Sequence, residues 1–144
     1  MDGTDHRIIL NRTNVKFGIK WPNGLAIDYI TLRIYWADAK LDYIAHSTIQ
    51  GNDIRILISE NVHHIFSINL FEDYIYWSDW ETKVISRTNK YKANKITNLS
   101  SVHHRPTALQ VVHPLKQIGK LAMRKPNSNH NSRFSFICRS IVRM

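Results

Sequence analysis

Tyr35-Trp36-Ala37-Asp38 comes back as Tyr76-Trp77-Ser78-Asp79, with Tyr76 standing 41 positions after Tyr35. The two tetrads sit at the centre of a longer repeat. Ahead of them run Leu25-Ala26-Ile27-Asp28 and Ile68-Asn69-Leu70, apolar at alternate positions. Behind them come Tyr43-Ile44-Ala45-His46-Ser47 and Lys83-Val84-Ile85-Ser86-Arg87-Thr88. Each unit closes on a β-branched run, Ile54-Arg55-Ile56-Leu57-Ile58 in the first and Lys95-Ile96-Thr97-Asn98-Leu99 in the second. Gly, Asn, Asp or Pro separates the runs, so each unit is expected to hold four short strands. Helices fit the pattern poorly, because the apolar positions recur by two and never by three and four. Four strands in roughly forty residues make one blade of a β-propeller.

The pattern extends to both sides of these units. Residues 5–10 are predicted to be the last strand of a preceding blade, with residues 1–4 as its entry turn. Thr107-Ala108-Leu109-Gln110-Val111-Val112 begins a further unit, aligned through Pro106 with Pro22. The expected fold is all-β: two complete four-stranded blades plus flanking strands over residues 1–117, then a disordered or irregular tail over 118–144.

Composition narrows the function classes. The net charge of +9 is unevenly placed. All eleven acidic residues fall at or before Glu81, against seven Lys and Arg in that stretch; the thirteen Lys and Arg from Thr82 onward face no acid. The patterned body is mildly acidic and no nucleic-acid-binding module accompanies the basic part, so a nucleic-acid partner is not expected. No apolar run is long enough to span a bilayer, so direct membrane insertion is not expected either. Met1-Asp2-Gly3-Thr4-Asp5 lacks the basic start and apolar stretch of a signal peptide. The single cysteine, Cys138, excludes an internal disulfide framework.

At the level of whole strings the chain resembles the class B repeats of the low-density lipoprotein receptor-related proteins. The resemblance lies in Gly3-Thr4, in Trp21-Pro22-Asn23-Gly24-Leu25-Ala26-Ile27-Asp28-Tyr29 and in Tyr35 through Asp42. It continues in Phe71-Glu72-Asp73-Tyr74-Ile75-Tyr76-Trp77-Ser78-Asp79-Trp80, in Asn89-Lys90, and from Arg105-Pro106-Thr107 to His113-Pro114-Leu115-Lys116-Gln117. It implies a six-bladed ring, of which residues 1–117 are part, in a cell-surface receptor that binds extracellular protein ligands. Endocytosis or signalling by the full-length parent, and acid-triggered ligand release, are implied with it. The resemblance stops after Gln117, where such receptors pass into a six-cysteine module. Residues 118–144 hold one cysteine and six Lys and Arg instead. A truncated or mis-spliced product without independent function is the alternative expectation, and an intracellular propeller-like scaffold a further one. Two blades taken alone would also leave two apolar faces in water. At ~25 cal/mol per Å², several hundred unburied Å² per face would forfeit on the order of 10 kcal/mol.

The repeated tetrads are expected to be structural, since a repeat multiplies packing units. Alternation puts Tyr35 and Tyr76 on one face of their strands and Trp36, Asp38, Trp77 and Asp79 on the other. The resemblance assigns these residues to packing between blades. The loops that follow are the candidate ligand contacts: Lys40 and Asp42 after the first tetrad, and Trp80, Glu81 and Lys83 after the second. Trp80 could anchor a partner or merely cover the neighbouring blade. His63-His64 and His103-His104 point to opposite faces of any strand and offer no ready metal site, so no metal is expected. Surface or structural histidine is the default, with a pH switch as the other role. No phosphate loop, metalloprotease helix or nucleophile elbow occurs, and no enzyme activity or cofactor is expected. Asn11-Arg12-Thr13 and Asn98-Leu99-Ser100 are candidate N-glycosylation sites.

Overall fold

A computed structural model describes Thr4, residues 6–113 and the backbone of Ser135–Arg139. Every regular element among the described residues is a strand. The first blade is β1 (Pro22–Asp28), β2 (Arg33–Asp38), β3 (Tyr43–Thr48) and β4 (Arg55–Ile58), paired antiparallel in chain order. The second is β5 (Ile65–Phe71), β6 (Tyr74–Asp79), β7 (Val84–Asn89) and β8 (Thr97–Ser101), paired in the same way. β9 (Ala108–Val112) opens the next unit, and β10 (Ser135–Arg139) lies antiparallel along it.

The repeat reaches down to the irregularities. The β1–β2 register shifts between Pro22 and Gly24, and the β5–β6 register between Ile65 and Ser67. A second shift falls between Ile44 and Ala45 in the first blade and between Ile85 and Ser86 in the second. Strand ends are closed by short acceptors that bind the chain two and three residues on, the local chemistry that makes Asp and Asn turn residues. Asp28 Oδ1 takes the N–H groups of Ile30 and Thr31 at 3.0 and 3.3 Å. Asn89 Oδ1 takes those of Tyr91 and Lys92 at 2.9 and 3.2 Å.

Strand alternation divides the core into three layers. Between the blades, Tyr35, Ala37 and Ile44 of the first pack on Ile65, Ile68, Ile75 and Trp77 of the second. Behind the first blade, Trp36, Tyr43 and Ala45 pack under Val15, with Leu10, Phe17 and Ile19 partly buried against them. Ahead of the second, Phe71, Tyr76 and Ile85 pack on Leu109 and Val111 of β9. Tyr35 and Tyr76 thus face the following unit, and Trp36 and Trp77 the preceding one. Both outer faces gain cover from flanking chain. The cover is incomplete: Leu25 is 69% exposed, whereas Ile68, its counterpart one blade on, is 5% exposed against the first blade.

Three local expectations are revised. Residues 6–10 form no strand. Among the described residues no strand pairs with them, and the chain instead coils over the first blade through Val15 N–H to Asn11 C=O and Gly18 N–H to Val15 C=O. The closing strand of the second blade begins at Thr97, after Lys95, whose carbonyl accepts from the Thr88 hydroxyl at 2.9 Å and not from a ladder N–H. Within 118–144, Ser135–Arg139 is a strand where none was expected. Its Phe136-Ile137-Cys138 run is apolar, and the open edge of β9 supplies the hydrogen-bonding partners that any strand needs. The remainder of that tail lies outside the described residues.

Candidate ligand-binding face

The starts of β1, β5 and β9 and the ends of β2 and β6 lie at one end of the blades, since Pro22 opposes Asp38 and Ile65 opposes Asp79. Two carboxylates organise this end. Asp38 is wholly buried; its Oδ2 accepts the N–H groups of Lys20 and Trp21 at 2.6 and 2.9 Å. Its Oδ1 accepts those of Lys40 and Leu41 at 2.9 and 3.0 Å. Asp79 does the same with His63 N–H at 3.0 Å and with those of Glu81 and Thr82 at 2.9 Å each. Each carboxylate ties the chain entering its blade to the loop after its second strand. A carboxylate saturated by backbone donors has no free lone pair directed at a substrate, which leaves it a clamp.

On these clamps stands a row of rings and cations. Lys40 Nζ lies 5.2 Å over Trp21, Trp21 meets His64 at 6.1 Å, and His64 stacks on Trp80 at 5.4 Å and 6°. Phe66 stacks on Trp80 at 4.5 Å and 5°, and the Arg105 guanidinium sits 5.5 Å over the Trp80 ring. The Trp80 indole N–H also donates to the Pro106 carbonyl at 2.7 Å, so Trp80 both joins the row and ties the second blade to the next unit. Trp21, Lys40, Glu81, Lys83 and Arg105 are exposed; Asp42 and Trp80 are half-buried. Asp42 and Lys83 occupy equivalent turn positions with φ of 51° and 56°.

Of the residues selected from sequence, Lys40 and Trp80 thus belong to one row. Asp42, Glu81 and Lys83 flank it in the same two loops without joining its stacks. Trp21, His64 and Arg105 were missed. Trp21 and His64 stand immediately before the first strand of their units and Arg105 three residues before β9; aligning Pro22 with Pro106 already brings Trp21 and Arg105 to one repeat position. Asn11 and Asn98 are exposed elsewhere; their Oδ1 atoms accept from Thr13 N–H at 2.8 Å and from the Ser86 hydroxyl at 2.9 Å. Among the described residues no group of three His, Cys, Asp or Glu converges as a metal site would require. No helix among them is long and apolar enough to cross a membrane.

The opposite end carries its own charges. Lys90 Nζ meets Asp28 Oδ2 at 2.7 Å in a pair that joins the blades, with both side chains almost fully covered. Burial works against the Asp28 carboxylate, but Lys90 and the turn N–H groups outweigh it and hold its pKa below the usual value. Lys90 is raised in turn: burial opposes its charge and Asp28 overcomes that. Beside this pair, Arg33 donates to His46 Nδ1 at 2.6 Å and pairs with Asp53, which Arg55 also binds at 2.6 Å. Arg can only donate, so His46 Nδ1 accepts and the ring proton sits on Nε2. Burial first, then the Arg33 charge, push the His46 pKa down.

Twinned four-stranded blades, each with a buried Tyr-Trp-x-Asp strand clamped by its aspartate, define a YWTD-type β-propeller. The chain carries the class B repeat of the low-density lipoprotein receptors: residues 33–72 match the model described as low-density lipoprotein receptor repeat class B. It is 35% identical to the vitellogenin receptor of Solenopsis invicta over 78% of its length, and 34% identical to the vitellogenin receptor Yl of Drosophila melanogaster over 96%. It covers 6% of each of those receptors. It is also 35% identical to the human low-density lipoprotein receptor-related protein 5-like protein, over 66% of this chain and 36% of that one. Among solved structures it resembles a chain of a nidogen/laminin complex, with a TM-score of 0.65 and 25% identity over 76% of this chain and 41% of that chain. A virginiamycin B lyase from Staphylococcus aureus shares the fold alone, at 14% identity and a TM-score of 0.53 over 70% of this chain and 33% of the lyase. The relatives by sequence are of the receptor kind, and the family is not an enzymatic one.

Proposed function

We propose that this chain contributes a ligand-binding face to a receptor-type YWTD propeller at the cell surface, and that its partners are extracellular proteins. The observation that carries this reading is the row Lys40, Trp21, His64, Trp80 and Arg105, with rings half-exposed between two cations. Aromatic and Arg side chains held rigidly at a surface are the residues that anchor protein interfaces. Lys40, Asp42, Trp80, Glu81 and Lys83 are proposed as contacts on that face, and Tyr35, Trp36, Asp38, Tyr76, Trp77 and Asp79 as its structural support. Residues 1–117 are proposed to be part of a six-bladed ring, with 118–144 an appended segment. Endocytic uptake or signalling would belong to the full-length parent. Asn11 and Asn98, both exposed, are proposed glycan acceptors on the same extracellular reading.

The test uses purified vitellogenin, the ligand for which the two insect relatives are named. Immobilised chain is expected to bind it, and Trp21→Ala with Arg105→Glu to weaken binding at least about tenfold at unchanged melting temperature, the scale of a lost anchor. A double variant that binds as well as the parent removes the face from the function. Absence of binding by the parent chain favours the alternative of a fragment without independent function.

A further inference from the structure

The two blades differ sharply behind their tetrad tryptophans. The registers make Tyr43 equivalent to Val84, and Phe17 and Gly18 equivalent to Glu60 and Asn61. The backbone agrees, since Gly18 and Asn61 both have positive φ, 86° and 54°. In the first blade a phenol fills the space. Trp36 Nε1–H donates to the Tyr43 hydroxyl at 3.1 Å, and that hydroxyl donates to the Gly18 carbonyl at 2.7 Å. Phe17 closes on the Tyr43 ring edge-on at 5.0 Å and 85°.

In the second blade both rings are absent, replaced by Val84 and Glu60. What remains is a groove of about 650 Å³ whose walls include Trp77, Val84, Glu60, Asn61, Asp79 and Asn98. That is the size of an ordinary ligand cleft, ~300–1,000 Å³. The Trp77 indole N–H makes no hydrogen bond among the described residues, so the donor that Tyr43 satisfies in the first blade stands ready in the second. Among the described residues no Lys or Arg lines the groove, while two carboxylates do. None of the chain's six tyrosines is available to fill it: all lie in the described part, four in strands, Tyr29 in the turn after β1 and Tyr91 against the other cleft.

We propose that this groove binds a tyrosine side chain of a peptide partner, seated as Tyr43 is seated in the first blade. Its hydroxyl accepts from Trp77 Nε1–H and donates to the Asn61 carbonyl, and a basic residue beside the tyrosine faces Glu60. The site is separate from the row of rings at the end of the blades and shares none of its residues.

The test follows the four tryptophan indole N–H signals by NMR in the full chain, made without glycan because Asn98 lies on the groove. The probes are the capped peptides Lys-Tyr-Lys and Lys-Phe-Lys. The tyrosine peptide is expected to shift the Trp77 signal saturably, and the phenylalanine peptide to bind about tenfold more weakly, the scale of one lost hydrogen bond. Val84→Tyr should move the Trp77 signal of the free protein toward that of Trp36 and abolish the response to peptide. Equal affinity for both peptides, no shift at Trp77, or undiminished binding by Val84→Tyr overturns the proposal. So does a Trp77 shift that follows protein concentration alone, which would make a second copy the occupant. The comparison of the two peptides stands even if Val84→Tyr packs badly. Loss of vitellogenin binding in the Trp21/Arg105 double variant leaves these outcomes untouched.

Discussion

The tetrad aspartate is the residue on which each blade turns. Asp38 accepts four backbone N–H groups with two oxygens, and it is fully buried while doing so. Asp38→Asn keeps the shape but turns one acceptor into a donor that faces the N–H groups of Lys20 and Trp21. Hydrogen bonds to a charged group contribute about 1.5–3 kcal/mol each, so urea unfolding is expected to show a loss of at least ~2 kcal/mol. An unchanged midpoint would mean that the carboxylate is not the clamp. His46 sets a different dependence. Its folded pKa lies below the ordinary 6.5, so the unfolded chain binds the proton more readily. Stability is then full above 6.5 and is lost as pH falls from there through the folded value. His46→Gln, which removes the titrating ring, should flatten the melting temperature between pH 7.5 and 5.5 relative to the parent. Parallel curves for the two proteins would assign the pH dependence to other groups.

At the scale of elements, the decisive contact is the approach of the inner strands. A Cβ placed on Gly24 of β1 would stand 3.0 Å from the backbone nitrogen of Ile68 in β5 and 3.1 Å from its Cγ2. Backbone cannot step aside as a flexible side chain can. Gly24→Val is therefore expected to separate the blades and cost about 1–3 kcal/mol, the usual range for overpacking. The check is thermal unfolding together with hydrogen exchange at Ile68. A tolerated valine with protected Ile68 N–H would show that the blades slide freely. The strand order and the tetrad strands were legible from the period-two pattern, because half-burial writes itself into every second residue. Residues 6–10 were misread for the reason that makes strands hard to infer locally: a strand exists only where a neighbouring edge hydrogen-bonds to it.

For the molecule as a whole, equivalent positions in the two blades differ in cover. Leu25 occupies in the first blade the place where Ile68 is buried in the second, yet it remains 69% exposed. An apolar side chain of that kind on a sheet face invites association. Leu25→Lys is expected to leave the unfolding free energy within about 0.5 kcal/mol of the parent, as exposed substitutions do, while lowering self-association measured by light scattering. A variant that associates as strongly as the parent would place the sticky surface elsewhere. The coverage of the other outer face by β9, and of Trp36 by residues 10–19, explains why the penalty foreseen for two bare faces is smaller in the folded chain.

The sequence by itself determined the blade. Alternation, turn chemistry and a tetrad returning after 41 residues are local or periodic signals, readable wherever each residue's neighbours along the chain dictate its face. Only the tertiary structure decided the rest. It joined Trp21, His64, Trp80 and Arg105, which come from three successive units, into one row. It paired Asp28 with Lys90 across the blade junction. It also turned a modest sequence difference, Val84 in place of a tyrosine, into an open groove beside an unfilled indole N–H. Such features depend on side chains far apart in sequence meeting across packed sheets, and no periodicity along the chain records which of them will meet.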